Sequence, residues 1–137
     1  MKEIIQKKTK ILHIEDDREF AEATAFLLGE DYQVNILEST TSVFEEIERN
    51  TPDVILLDLD LPGGLAQMRT EEGLALLRIL NNSKVNEIPV IVLTSQSDSD
   101  VYLECFSLGA TAFYEKPAKI GEIMKTIQMC LKHRSSI

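Results

Sequence analysis

The chain alternates between short apolar runs and longer segments in which apolar residues return every three or four positions. A bounded run of four to eight apolar residues suits a buried strand, and a spacing near 3.6 suits an amphipathic helix. Lys10–Ile14 reads as a first buried strand. Arg18–Gly29 reads as a helix, with Phe20, Thr24, Leu27 and Leu28 on one face and Asp17 as its N-cap. Gln33–Leu37 alternates in polarity, as a half-exposed edge strand does. Val43–Arg49 is a short helix carrying Val43, Phe44 and Ile47. Pro52 separates it from Val54–Asp58, a nearly continuous apolar run of the kind a central parallel strand needs.

The second half repeats this rhythm. Gly73–Asn81 is a helix with Leu74, Leu77 and Leu80 in register. Pro89 precedes the apolar strand Val90–Thr94. Asp100–Leu108 is a helix stopped by Gly109. Ala112–Glu115 is a last strand, and Ile120–His133 a last helix, with Ile120, Ile123, Ile127, Cys130 and Leu131 spaced for burial. Strict alternation of strand and helix predicts an α/β domain with a doubly wound, five-stranded parallel sheet. Right-handed crossovers put helices on both faces. The expected strand order is 2-1-3-4-5, with its switch point between strands 1 and 3.

That architecture gives the polar strand ends a common address. The carboxyl ends of parallel strands share one edge, where ligands bind. Glu15 and Asp16 follow strand 1, Asp58 closes strand 3, Thr94 closes strand 4, and Lys116 follows strand 5. Clustered carboxylates repel one another unless a cation neutralises them. A hard, oxygen-seeking ion such as Mg2+ suits them. A hydroxyl and a lysine facing that ion make a place for a phosphoryl group. Taken singly, each residue has a plainer role. Glu15, Asp16 and Asp17 suit a helix N-terminus, Thr94 a strand end, Phe113 a core, and Lys116-Pro117 the entry to a helix. Their joint occurrence at successive strand ends favours a site.

Composition narrows the classes. The 137 residues suit one domain with a real core, and 44% of them are hydrophobic. The formal charge of -9 repels nucleic acid and anionic membranes. No apolar run approaches the roughly 20 residues of a membrane span, and MKEIIQKKTK lacks the apolar stretch of a signal peptide. A cytoplasmic location is expected. Cys105 and Cys130 have neither disulfide-framework nor metal-ligand spacing and read as buried free thiols. His13, inside strand 1, reads as a core histidine with its hydrogen bonds satisfied.

The motifs ILHIEDD, DVILLDLDLPG, PVIVLTS and AFYEKPA, in that order, resemble the receiver domain of bacterial two-component response regulators. The resemblance covers residues 9–133, leaving 1–8 and 134–137 as terminal extensions. It implies a flavodoxin-like three-layer sandwich and a phosphorylation switch that catalyses only its own phosphorylation and dephosphorylation. A stand-alone receiver is expected, the alternative being a receiver module excised from a larger regulator or hybrid kinase. Asp58 would accept a phosphoryl group from a sensor histidine kinase or phosphotransfer protein. Asp16 and Asp58 would ligate Mg2+ directly, Glu15 through water, and Asp60 through its backbone carbonyl. Thr94 and Lys116 would bind phosphoryl oxygens. Phe113 would be the switch aromatic, and Asp60 and Gln96 would form a regulatory rim. The signal would leave through the face of helix 4, strand 5 and helix 5, toward a downstream protein or a second copy. Tyr102, Glu104 and Tyr114 are expected to be exposed there.

Other classes fit less well. A haloacid-dehalogenase-like phosphatase shares the fragment Asp58-Leu59-Asp60, but takes its nucleophile from the first strand. A flavin binder needs a phosphate loop where this chain has Glu15-Asp16-Asp17. A receiver that never takes phosphate normally lacks one of the key residues, and none is missing. One departure from the family pattern is the stretch Gly63–Glu72, which delays the glycine opening helix 3, here Gly73, by about seven residues. Loops lengthen at small cost, so a neutral insertion is evenly matched against a role in partner choice or in shielding the phosphoaspartate. The other departure is the acidic side chain of Asp60.

Overall fold

The computed structural model describes residues 7–60, 71–95 and 98–135. Its elements run β1 Thr9–Ile14, α1 Arg18–Leu28, β2 Tyr32–Leu37, α2 Val43–Arg49, β3 Val54–Asp58, α3 Glu71–Asn81, β4 Val90–Thr94, α4 Ser99–Ser107, β5 Ala112–Glu115 and α5 Ile120–Ser135. The strands form one parallel sheet in the order β2-β1-β3-β4-β5. This is the expected topology. Residues 63–70 of the stretch Gly63–Glu72, expected as an insertion, lie outside the described residues, as does Gln96. Its last two residues, Glu71 and Glu72, are helical and open α3 ahead of Gly73.

Period-two alternation sends successive strand side chains to opposite faces. Leu12, Ile14, Ile55, Leu57, Val90 and Val92 meet the apolar faces of α2, α3 and α4. Ile11, Val54, Leu56, Ile91 and Leu93 meet α1 and α5 through Leu28, Ile123 and Ile127. The central strands β3 and β4 are buried throughout. Truncating one of these large side chains to alanine is expected to cost about 2–5 kcal/mol.

Local chemistry sets the helix ends. The Asp17 carboxylate accepts from the Phe20 N–H at 3.1 Å, which makes Asp17 the N-cap of α1. Asp98 caps α4 through the Asp100 N–H, so that helix starts one residue earlier than its apolar spacing implies. Gly109, at φ +99°, takes the chain out of α4 in a conformation that L side chains rarely adopt. Gly73 serves a different need. A Cβ there would lie 2.9 Å from Leu59 Cδ2 and 3.0 Å from Leu59 Cα, so α3 crosses the end of β3 in close contact.

Three side-chain expectations fail. Leu27 is 58% exposed, because the inward stripe of α1 runs through Ala21, Thr24 and Leu28. Phe44 is exposed at 40%, leaving Val43 and Ile47 to anchor α2. Tyr114 is half-buried against α5 and not exposed. Its hydroxyl donates to the Glu122 carbonyl at 3.2 Å and meets the Thr126 hydroxyl. Cys105 and Cys130 are buried free thiols, as expected.

Candidate functional site

Parallel register brings the strand ends together. Ile14 pairs with Leu57 across β1 and β3, and Asp58 pairs with Leu93 across β3 and β4. Thr94 pairs with Glu115 across β4 and β5, and its carbonyl accepts from the Lys116 N–H at 2.8 Å. Glu15, Asp58, Thr94 and Lys116 therefore meet at one edge, although they come from four different strands.

Lys116 is the cation at the centre. Its Nζ donates to Glu15 Oε1 at 2.8 Å and stands 3.1 Å from Asp58 Oδ1. The ammonium also lies 4.6 Å from the centroid of the Phe20 ring, a cation–π contact. Burial pushes the Lys116 pKa down, but its hydrogen bond to Glu15 and the charge of Asp58 outweigh it, and the net shift is upward. Lys116 therefore stays protonated.

The carboxylates are crowded and dry. Glu15 is fully buried and Asp58 is 1% exposed. Burial, with the hydrogen bond to Asp58, lifts the Glu15 pKa to about 8, against the opposing pull of Lys116. Glu15 Oε2 accepts from the Asp17 N–H at 3.2 Å. Asp58 Oδ1 accepts from the Asp60 N–H at 2.9 Å, whereas Asp58 Oδ2 is buried with no hydrogen-bond partner among the described residues. Leaving a buried charged oxygen unpaired is costly.

These observations fit a hard cation. Carboxylate oxygens of Glu15, Asp16 and Asp58 lie within 4.8 Å of one another. Asp16 is exposed and the other two are buried, so the group has one open side. An all-oxygen set with an open side suits Mg2+, which keeps several of its waters. Asp58 Oδ2, with no donor among the described residues, is an oxygen such an ion could use.

Two contacts were not visible in the sequence. Thr94, expected to face a phosphoryl group, donates its hydroxyl to Asp60 Oδ1 at 3.0 Å. Asp60 Oδ2 accepts from the Ser95 N–H at 2.7 Å. The Asp60 carboxylate thus ties the end of β4 to the end of β3. The second contact is aromatic: Phe113 packs edge-on against Tyr102 at 5.3 Å, and Tyr102 against Phe106 at 4.9 Å. Tyr102 is 47% exposed, as expected, and Glu104 is also exposed. Phe113 is half-buried behind Tyr102.

His13 departs from expectation. It is buried under the site, yet neither ring nitrogen has a hydrogen-bond partner among the described residues. Burial, with a lesser push from Lys116, lowers its pKa to about 4 and keeps the ring neutral. Its ring meets Phe20 edge-on at 6.3 Å.

Known proteins share this arrangement of elements. A family model described as the response regulator receiver domain matches residues 11–128. The chain belongs to that family. It is 29% identical over 123 residues to the transcriptional regulatory protein KdpE of Staphylococcus aureus, covering 89% of this chain and 49% of KdpE. It is 30% identical over 107 residues to the DNA-binding transcriptional regulator NtrC of Escherichia coli, covering 78% of this chain and 21% of NtrC. The receiver thus spans about half or less of these relatives.

Among solved structures, a putative response regulator from Chloroflexus aurantiacus superposes with TM-score 0.79 at 26% identity, covering 92% of this chain and 99% of that one. The BeF3-activated receiver domain of Klebsiella pneumoniae RstA superposes with TM-score 0.75 at 27% identity, covering 90% and 98%. Receivers of this family are signalling switches of two-component systems. Among the described residues, no helix is long and apolar enough to cross a membrane.

Proposed function

We propose that this receiver, spanning residues 9–133, takes a phosphoryl group on Asp58 from a phosphohistidine of a sensor kinase or phosphotransfer protein. The observation that carries this reading is the Asp58 carboxylate itself. One oxygen is held by Lys116 and the Asp60 N–H, and the other is buried with no hydrogen-bond partner among the described residues. An aspartate oriented in this way is a usable nucleophile. In the transfer, an Asp58 oxygen forms a bond to phosphorus as the phosphorus–nitrogen bond to the donor histidine breaks. The histidine nitrogen leaves with the bonding electron pair.

The transition state spreads negative charge over the equatorial oxygens, so catalysis is mostly positioning and electrostatics. Lys116 supplies a fixed positive charge, and Thr94 supplies a hydroxyl donor at the neighbouring strand end. Asp16, Asp58 and the Asp60 carbonyl would hold Mg2+, with Glu15 acting through water. When bound, the ion supplies further positive charge against the transferring group. The product carries about two negative charges where the carboxylate carried one, and adds new acceptor oxygens at the strand ends. The face of α4, β5 and α5 is the proposed output surface, because Thr94 leads toward α4, Phe113 lies on β5 and Lys116 follows it. A downstream protein or a second copy would dock there.

The experiment is incubation with acetyl phosphate and Mg2+. It should produce one acid-stable, base-labile acyl phosphate, absent from Asp58→Asn. Full phosphorylation of that variant would refute the reading.

A further inference from the structure

We propose that the Asp60 side chain is a latch that competes with the phosphoryl group for Thr94. The proposal rests on the reading that Asp58 accepts a phosphoryl group, and adds a residue that sets how readily the switch responds. Asp60 lies two residues past Asp58, and its N–H is tied to Asp58 Oδ1 at 2.9 Å. Its backbone is therefore anchored to the acceptor. Its side chain turns toward β4, where Oδ1 accepts from the Thr94 hydroxyl at 3.0 Å and Oδ2 from the Ser95 N–H at 2.7 Å. Both oxygens of one carboxylate are thus engaged by successive residues at the end of β4.

The donors can serve only one anion at a time. A threonine hydroxyl carries one proton and a backbone amide carries one. While Asp60 holds them, neither is free for an oxygen on Asp58. Hydrogen bonds to a carboxylate are charge-assisted and stronger than neutral ones. Thr94 is fully buried, so its hydroxyl has little recourse to water. Its backbone is fixed as well, through the Lys116 N–H on its carbonyl. Release therefore requires the hydroxyl to change partner while the strand stays in place.

A phosphoryl group on Asp58 raises the negative charge there from one to about two and moves it closer to the Asp60 carboxylate. The two anions repel, and the phosphoryl oxygens offer Thr94 a new acceptor. The latched arrangement is then the resting state, and the opened one is selected by the modified aspartate. A protein whose competent state is only partly populated binds its ligand more weakly by that fraction. Asp60 should accordingly lower the apparent affinity for any phosphoryl mimic.

Beryllofluoride, which needs no kinase, tests this at saturating Mg2+, with binding followed through amide resonances. Asp60→Ala should bind at least about tenfold more tightly than the wild type, since one charge-assisted competitor is gone. Asp60→Asn, which drops the charge but keeps one acceptor oxygen, should fall between them. Charge removal alone would also tighten binding, so the cycle is completed with Thr94→Val. The gain from Asp60→Ala should shrink at least about threefold in that background, because contacting residues are not additive. In the unliganded Asp60→Ala protein the Ser95 amide resonance should move upfield, having lost its carboxylate acceptor. Fully additive effects, or unchanged affinity in Asp60→Ala while the wild type binds beryllofluoride at Asp58, would overturn the latch alone. A wild type that binds no beryllofluoride would overturn the phosphoacceptor reading, and the latch with it.

Discussion

Lys116 Nζ donates to Glu15 Oε1 at 2.8 Å, closing the site between the end of β5 and the end of β1. The pair is buried on the glutamate side and only 18% exposed on the lysine side. Removing one partner of a buried ion pair strands the other.

Lys116→Met should therefore destabilise the metal-free protein by about 1–3 kcal/mol. The loss stays below that of a fully charged pair, because Glu15, lifted to about 8, already holds a proton at neutral pH. Adding Glu15→Gln should restore part of the loss. Urea denaturation of the two single variants and the double variant reads this directly, and an unchanged midpoint for Lys116→Met would refute it.

Asp16 stands on the open side of the carboxylate group. Asp16→Ala should weaken Mg2+ binding at least about tenfold while leaving metal-free stability equal or higher, since one repulsion is removed. Titration of the two proteins with Mg2+ decides it. Equal affinities would mean that the acidic pair serves only the start of α1.

The buried His13 makes stability depend on pH. Its folded value near 4 lies below the ordinary 6.5. Between those values the unfolded chain binds a proton that the folded chain does not. Stability should thus fall as pH drops through that window, by up to roughly 3 kcal/mol in all. Glu15 works in the opposite sense. Its contribution is present below 4.5 and lost as pH rises through about 8, so wild type must be compared with a His13 variant. His13→Leu should lose less stability than wild type between pH 6.5 and 4, and parallel curves would contradict the assignment.

The output face should respond as a unit. Phe113 and Tyr102 are in edge-on contact, so a shift at Thr94 that repositions Phe113 also reaches the exposed surface of α4. On binding of a phosphoryl mimic, amide changes should concentrate in residues 95–109 and 112–122 and largely spare 33–50. Changes confined to 63–72 would make the long stretch after β3 the signalling element.

Much of this architecture was legible in the order of residues alone. The apolar runs ending at Ile14, Asp58 and Thr94, each too short for a helix and alternating with helical segments, read as buried parallel strands, and such strands share one edge. The charged ends of those runs therefore had to meet. Side-chain direction was harder to read. Leu27 is more apolar than Ala21, yet the helical period turns Ala21 inward and Leu27 outward. Tyr114 sits on a short strand whose face is covered by α5, and no local pattern reveals which neighbour covers a strand. Asp60 was visible as an additional acid, but its grip on Thr94 and Ser95 depends on two loops meeting across the sheet. The missing partners of His13 depend likewise on every element packed around β1.

The central claim is that Asp58 carries the phosphoryl group. Protein treated with acetyl phosphate and Mg2+ can be reduced with borohydride, which converts an aspartyl phosphate to homoserine, and then mapped by mass spectrometry. The account predicts homoserine at position 58 and at no other aspartate, with none formed in Asp58→Asn. Homoserine at Asp16 or Asp60, with Asp58 intact, would contradict it.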